Sequence, residues 1–92
     1  MESIDDVIRE VKERTAAIAA ARVRIRTLIG QETRLEEMLV LEDGAGLFIT
    51  VSYPTDEGRV YRRFFIGPTG TIVAHATIDV ATIVRLVTAE GL

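Results

Sequence analysis

The sequence predicts an α+β fold in which a long N-terminal helix precedes a four-stranded antiparallel β-meander and a short C-terminal helix. The first observation is a change in hydrophobic spacing at Gly30. Before this glycine, apolar residues recur every three or four positions, as on one face of a helix, whereas later stretches such as 47–53 are typical of strands. The second observation is that the later stretches are joined by short connectors rich in Gly, Pro or Asp, which favour hairpins.

The N-terminal helix is expected to begin after Ser3 and to end at Gly30. Serine is a favoured N-cap residue, acidic residues in the first turn complement the helix dipole, and glycine often ends a helix in the left-handed conformation. Five alanines between residues 16 and 21 also favour a helix. The alternation of arginine with apolar residues from Arg22 to Arg26 fits a strand as well, and the sequence alone leaves that alternative open.

Four strands are expected at residues 39–42, 47–53, 59–66 and 71–76. Counting across the connectors 43–46, 54–58 and 67–70 gives one face of the sheet that forms the core, made of Val40, Leu47, Ile49, Val51, Tyr53, Tyr61, Phe65, Ile72, Ala74 and Ala76. A helix is expected over the two alanines. The opposite face collects Leu39, Leu41, Phe48, Phe64, Ile66 and Val73 beside Thr50, Ser52, Arg62 and His75. A slip of one residue in any loop would exchange the two faces for every later side chain.

A short C-terminal helix is expected to contain Ile78, Ile83, Val84 and Val87. Its N-cap is either Thr77 or Asp79, because both residue types accept hydrogen bonds at helix starts, and Gly91 is expected to end it.

Composition predicts one globular domain over residues 1–92, since 48% of the residues are hydrophobic and 27% are charged. The chain has no cysteine, which excludes disulfides and thiolate metal sites, and neither a metal nor a cofactor is expected. No apolar run is long enough to span a membrane, and the N-terminus is acidic, so we expect a cytoplasmic protein without a membrane partner. The net charge of −3 disfavours nucleic-acid binding through bulk charge.

The length of the N-terminal helix indicates a partner. A helix over residues 3–29 would extend about 40 Å, whereas strands of seven or eight residues reach about 25 Å. Apolar residues also recur every seven positions at Ile4, Val11, Ile18 and Ile25, although Arg14 interrupts this seam. The simpler alternative is a bent helix whose apolar side faces its own core. With two apolar sheet faces, these features predict a homodimer or higher oligomer, or a partner protein.

Catalytic chemistry is not expected. The chain has one histidine, His75, and no recognisable nucleophile turn. The carboxylate pairs at 42–43 and 56–57 are expected at opposite ends of the meander, so they do not converge on one acid–base or metal site. The Gly67–Gly70 segment is expected to be a turn and not a phosphate-binding loop, because Pro68 lacks a backbone N–H that a phosphate would need. A small enzyme would require His75 to work with carboxylates from a neighbouring subunit.

The predicted function is therefore a small non-enzymatic interaction or regulatory module. Its candidate binding residues are Phe48, Arg62, Phe64 and Val73 on the second sheet face, and Arg22 and Arg26 on the helix. The two helix arginines are one turn apart and could clamp an acidic partner. The alternative is a single-stranded nucleic acid on the open sheet, with phosphates on Arg62 and bases stacked on Phe48 and Phe64.

Overall fold

The computed structural model describes residues 3–44 and 46–89 and has the predicted α+β fold. Six elements follow one another along this part of the chain: α1 (Ile4–Ile29), β1 (Glu36–Asp43), β2 (Gly46–Thr55), β3 (Gly58–Ile66), β4 (Ile72–Ile78) and α2 (Val80–Ala89). The strands lie in the order β1-β2-β3-β4, and each neighbouring pair is antiparallel, which confirms the meander.

Helix α1 has the predicted ends. The Ser3 side chain accepts a hydrogen bond from the Asp6 backbone N–H at 3.1 Å, as an N-cap does. Gly30 ends the helix with φ 115° and ψ 140°, a conformation with positive φ that lies outside the left-handed helical region expected for it. The helix is continuous from Arg22 to Arg26, so the strand alternative for that stretch is wrong.

The strand boundaries differ from the sequence prediction by up to three residues. Strand β1 begins at Glu36, three residues before the predicted start, and contains a bulge between Glu37 and Leu39. Strand β4 extends to Ile78, which is therefore not part of the C-terminal helix. Asp79 is the N-cap of α2, since its carboxylate accepts the Thr82 backbone N–H at 2.7 Å. The predicted helix end at Gly91 lies outside the described residues.

The turn between β2 and β3 decides which side chains meet the helix. Thr55 pairs with Gly58, so the turn has two residues, Asp56 and Glu57, where the sequence analysis placed a connector of five. The register is shifted by one residue as a result. Phe64 therefore lies opposite Ile49 in the core, while Phe65 lies opposite Phe48 on the other side of the sheet.

The core lies between α1 and one side of the sheet, which we call the helix-facing side. Its buried members are Ala21, Ile25, Ile49, Val51, Phe64 and Ile66. Four predicted core residues pack against them, namely Val40, Leu47, Tyr53 and Ile72, and Ile18 of α1 does so as well. The side of the sheet turned away from α1 is called the outer face.

Eight residues lie on the opposite side from the one predicted, because of the shift at the β2–β3 turn. Tyr61, Phe65, Ala74 and Ala76 were expected in the core, but share the outer face with Phe48. The expected helix does not cover the two alanines, both of which are exposed. Conversely, Arg62, Phe64, Ile66 and His75 lie on the helix-facing side.

Neither helix of the described chain combines the length and the apolar character needed to cross a lipid bilayer.

Candidate interaction surfaces

The N-terminal part of α1 extends beyond the sheet. Between Ile4 and Ala16 every residue except Asp6 is exposed, and the first buried residue of the helix is Ala17. An ion pair between Arg14 Nε and Glu42 Oε2, 2.7 Å apart, joins the helix to the end of β1. We call residues 4–13, which precede this ion pair, the overhang. It accounts for the elongated shape, whose principal extents are 51, 29 and 19 Å.

Four apolar side chains on the overhang are in contact with solvent. Ile4 is 78% exposed, Val7 45%, Ile8 46% and Val11 50%. Because their spacing is three, one and three residues, they lie along one side of the helix. We call these four residues the α1 stripe. No other part of the described chain buries them.

The interpretation of α1 as a helix that faces its own core holds for the second half of the helix. Ile25 is 1% exposed and Ile18 packs against the core, as expected for a helix that faces its own sheet. Ile4 and Val11, which belong to the same seven-residue repeat, are exposed to solvent. The repeat therefore serves the internal core in its second half and leaves an apolar surface in its first half.

The outer face carries aromatic and basic side chains on neighbouring strands. The rings of Phe48 and Phe65 are stacked, with centroids 5.0 Å apart and planes inclined by 23°. The guanidinium carbon of Arg63 lies 3.8 Å from the centre of the Phe48 ring, a cation–π contact. The Arg63 Nε atom is buried without a hydrogen-bond partner in the described part of the chain.

Arg59 and Tyr61 extend this row along β3. Alternate residues of a strand share a face, so Arg59, Tyr61, Arg63 and Phe65 all lie on the outer face. Arg59 Nη1 donates to the Ser52 hydroxyl at 2.9 Å and is 3.6 Å from a Glu36 carboxylate oxygen. Its charge is thus partly compensated.

The structure separates the residues predicted to bind nucleic acid. Phe48 is on the outer face, but Phe64 is fully buried on the helix-facing side, where it stacks on His75 with ring centroids 5.3 Å apart. Arg62 also lies on the helix-facing side, opposite Val51. The expectation that these residues form one surface is wrong, because it relied on the longer β2–β3 connector. Val73 is 59% exposed on the edge strand β4.

The two predicted helix arginines bind the chain itself. Arg22 makes a two-point ion pair with Glu37 of β1, with Nε and Nη2 each 2.8 Å from a carboxylate oxygen. This hydrogen bonding, together with the charge of Glu37, raises the pKa of Arg22. Arg26 Nη1 donates to the carbonyl oxygens of Thr33 at 2.6 Å and Gly30 at 3.4 Å. Both arginines thus hold α1 to the segment that follows it.

A cavity of about 500 Å³ lies between α1 and the end of the sheet. Its apolar lining includes Ala17, Leu47 and Ile66, and its rim carries the carboxylates of Glu10 and Glu13. Across residues 3–44 and 46–89, no three histidine or acidic side chains are grouped closely enough to hold a metal ion.

Comparison of the chain with protein-family models, with curated proteins and with solved structures finds no match in any of the three.

The sequence prediction did not place Arg63 and Phe65 on the same face of the sheet as Phe48. The signal that could have placed them was Gly58, which has φ 122° and closes the two-residue turn. In this turn the Thr55 hydroxyl donates to the Gly58 carbonyl at 2.7 Å and accepts the Glu57 N–H at 3.3 Å. A threonine three residues before a glycine can thus close a tighter turn than the Pro54 to Gly58 segment suggests.

Proposed function

We propose that this chain is a small non-enzymatic interaction module that self-associates through the α1 stripe. One observation carries the proposal: the four stripe residues are 45% to 78% exposed on a helix that extends past its own sheet. Contiguous exposed apolar surface on a protein marks an interaction site more often than isolated apolar residues do. Binding another copy removes this surface from water.

The overhang is the end of a helix without tertiary contacts. Each residue added to such an end contributes little stability in water, so the end frays easily. The overhang lacks buried residues, and its one internal ion pair joins Arg9 to Asp6 at the solvent-exposed surface. Exposed pairs of this kind contribute well under about 1 kcal/mol. Packing against a second copy would stabilise the helical conformation of this segment.

The test is the absolute mass of the purified protein by light scattering across a range of micromolar concentrations. The proposal expects a mass that rises with concentration towards twice the chain mass of 10.1 kDa. Ile8→Glu places a charge in the centre of the stripe and should give a monomer at every concentration. Wild-type protein that stays monomeric throughout would contradict the proposal.

A matched control is available on the same helix. Val23 is 67% exposed, but lies in the part of α1 that packs on the sheet. Val23→Glu makes the same chemical change outside the overhang, and should keep the concentration-dependent mass of the wild type. If both variants are monomeric, the effect comes from helix charge in general and the stripe is not the interface.

Single-stranded nucleic-acid binding is a second candidate function, now on a different set of residues. It is supported by the row of Arg59, Tyr61, Arg63 and Phe65 beside Phe48 on the outer face. Basic and aromatic residues on an open sheet can hold phosphates and stack bases. The net charge of −3 opposes such binding.

Two neighbouring arginines test this candidate, because they lie on opposite faces of the same strand. Arg63→Glu should abolish the anisotropy change of a fluorescent oligonucleotide, and Arg62→Glu should leave most of it. The wild-type affinity should fall steeply with salt, since phosphate contacts release counterions. No binding by the wild type at low salt, or equal losses in both variants, would exclude the outer face as a nucleic-acid site.

A further inference from the structure

We infer that two copies of this chain pair through antiparallel overhangs, with the helices crossing between Val7 and Ile8. This inference rests on the proposed function, because it takes the α1 stripe as the self-association surface. It adds the orientation of the second copy and the residues that face each other. Ile4 of one copy faces Val11 of the other, and Val7 faces Ile8.

The α1 stripe is symmetric about its midpoint. The spacing of Ile4, Val7, Ile8 and Val11 reads the same in both directions, so a two-fold axis midway between Val7 and Ile8 maps the stripe onto itself. Such self-complementary contacts are the rule in two-fold dimers. Every isoleucine then packs against a valine. A parallel pair would instead place isoleucine against isoleucine and valine against valine, giving layers of unequal size.

Two residues of opposite charge flank the α1 stripe. Asp5 and Lys12 are exposed, are seven residues apart, and therefore lie on the same flank of the stripe. Within residues 3–44 and 46–89 neither of them forms an ion pair. The antiparallel arrangement brings this flank of one copy against the same flank of the other, so that Asp5 of each copy lies beside Lys12 of the other. In a parallel pair the two flanks that carry these residues lie on opposite sides of the interface, and this pairing is lost. Opposite charges across paired helices favour the antiparallel alignment.

The antiparallel and parallel arrangements also differ in where they place the two sheets. The ion pair between Arg14 and Glu42 holds the sheet against α1 directly after the overhang. Antiparallel overhangs place the two sheets at opposite ends of the paired helices, where they do not compete for space. In a parallel pair both sheets would lie at the same end.

The contact is short, and this sets the expected strength of the dimer. Interfaces that bury less than about 1,200 Å² are mostly weak or transient, and two or three helical turns fall in that class. We therefore expect a dimer that dissociates at low micromolar concentration. The orientation is best read by a covalent reporter at concentrations where the dimer is populated.

Cysteine pairs provide this reporter, because the chain has no cysteine of its own. We would oxidise Ile4→Cys alone, Val11→Cys alone, and an equal mixture of the two, and identify the products by mass. The two variants differ in mass, so the mixed disulfide is distinguished from either symmetric one. The antiparallel pair predicts mixed disulfide in at least fivefold excess over the symmetric products.

The other outcomes distinguish a wrong orientation of the helices from a failure of self-association itself. Symmetric disulfides from each variant alone, with little mixed product, would show a parallel pair and overturn the orientation but keep the proposed function. Val23→Cys controls for disulfides formed by random collision. If the Ile4→Cys and Val11→Cys samples, alone and mixed, crosslink no faster than Val23→Cys, the orientation is overturned. If the wild-type protein stays monomeric by light scattering, both the proposed function and the orientation are overturned.

Discussion

Gly70 touches the backbone of α1 at Ala17. A Cβ atom on Gly70 would lie 2.5 Å from the Ala17 carbonyl oxygen and 2.7 Å from the Ala20 Cβ. Arg24 Nη1 also donates to the Gly70 carbonyl at 3.1 Å. The turn between β3 and β4 is therefore in direct contact with the alanine-rich middle of α1. Small residues on both sides of this contact let the two backbones approach.

Replacing Gly70 by alanine should destabilise the fold by about 2–4 kcal/mol. About 1–3 kcal/mol comes from forcing a methyl group into a filled space. About 1 kcal/mol more comes from the backbone, since Gly70 has φ 83°, which disfavours residues with a Cβ. Urea unfolding followed by circular dichroism measures the change.

Gly58→Ala separates these two contributions. Gly58 has φ 122°, but a Cβ there would meet no atom within 4 Å. It therefore reports the backbone cost alone, which we expect to be about 1 kcal/mol. If Gly70→Ala costs no more than Gly58→Ala, the close approach of the turn to α1 does not constrain the fold.

The helices and strands could be predicted from the sequence, because their signals are local. Ser3 caps α1, Asp79 caps α2, and the β1–β2 register follows from the four-residue connector that ends at Gly46. That α1 would extend past its sheet followed from its length alone, but which end would do so did not. These features depend on a few neighbouring residues, so no tertiary information was needed.

The sequence could not predict which side chains of β3 point towards α1, because a change of one residue in the length of the β2–β3 turn exchanges the two faces. With a two-residue turn at Asp56 and Glu57, Phe64 enters the core and Phe65 leaves it. Two adjacent phenylalanines give a hydrophobic pattern that fits either choice. For this reason the sequence prediction wrongly placed Phe48, Phe64 and Arg62 on one face, whereas the position of the apolar residues on α1 did not depend on any turn.

Phe64 and Phe48 provide a direct test of the observed facing. Phe64 is fully buried, so Phe64→Ala should cost about 3–5 kcal/mol through lost burial and a cavity. Phe48 is half-buried on the outer face, and Phe48→Ala should cost less than half as much. Denaturant unfolding of both variants measures the difference. If Phe48→Ala were more destabilising than Phe64→Ala, Phe64 would not be the residue in the core and the observed register would be contradicted.

Arg26 is expected to be structural. Its guanidinium holds the carbonyl oxygens of Thr33 and Gly30, which closes the segment between α1 and β1. Hydrogen bonds from a charged group contribute about 1.5–3 kcal/mol when partly buried, so Arg26→Ala should lower stability by about 1–2 kcal/mol. Arg34→Ala is the control, because Arg34 is exposed. Equal unfolding free energies for the two variants would contradict this role.

Acid should loosen the start of α2 through Asp79. Hydrogen bonds from the side chain and then the backbone N–H of Thr82 hold the pKa of Asp79 below its usual range. A lowered folded pKa means that the stabilisation is present at neutral pH and is lost as pH falls through the folded pKa, which lies below the usual aspartate range. Amide exchange of α2 should therefore quicken in acid. Asp79→Asn keeps an N-cap without a titrating charge and should remove this dependence. The same acid response in both proteins would show that another group causes it.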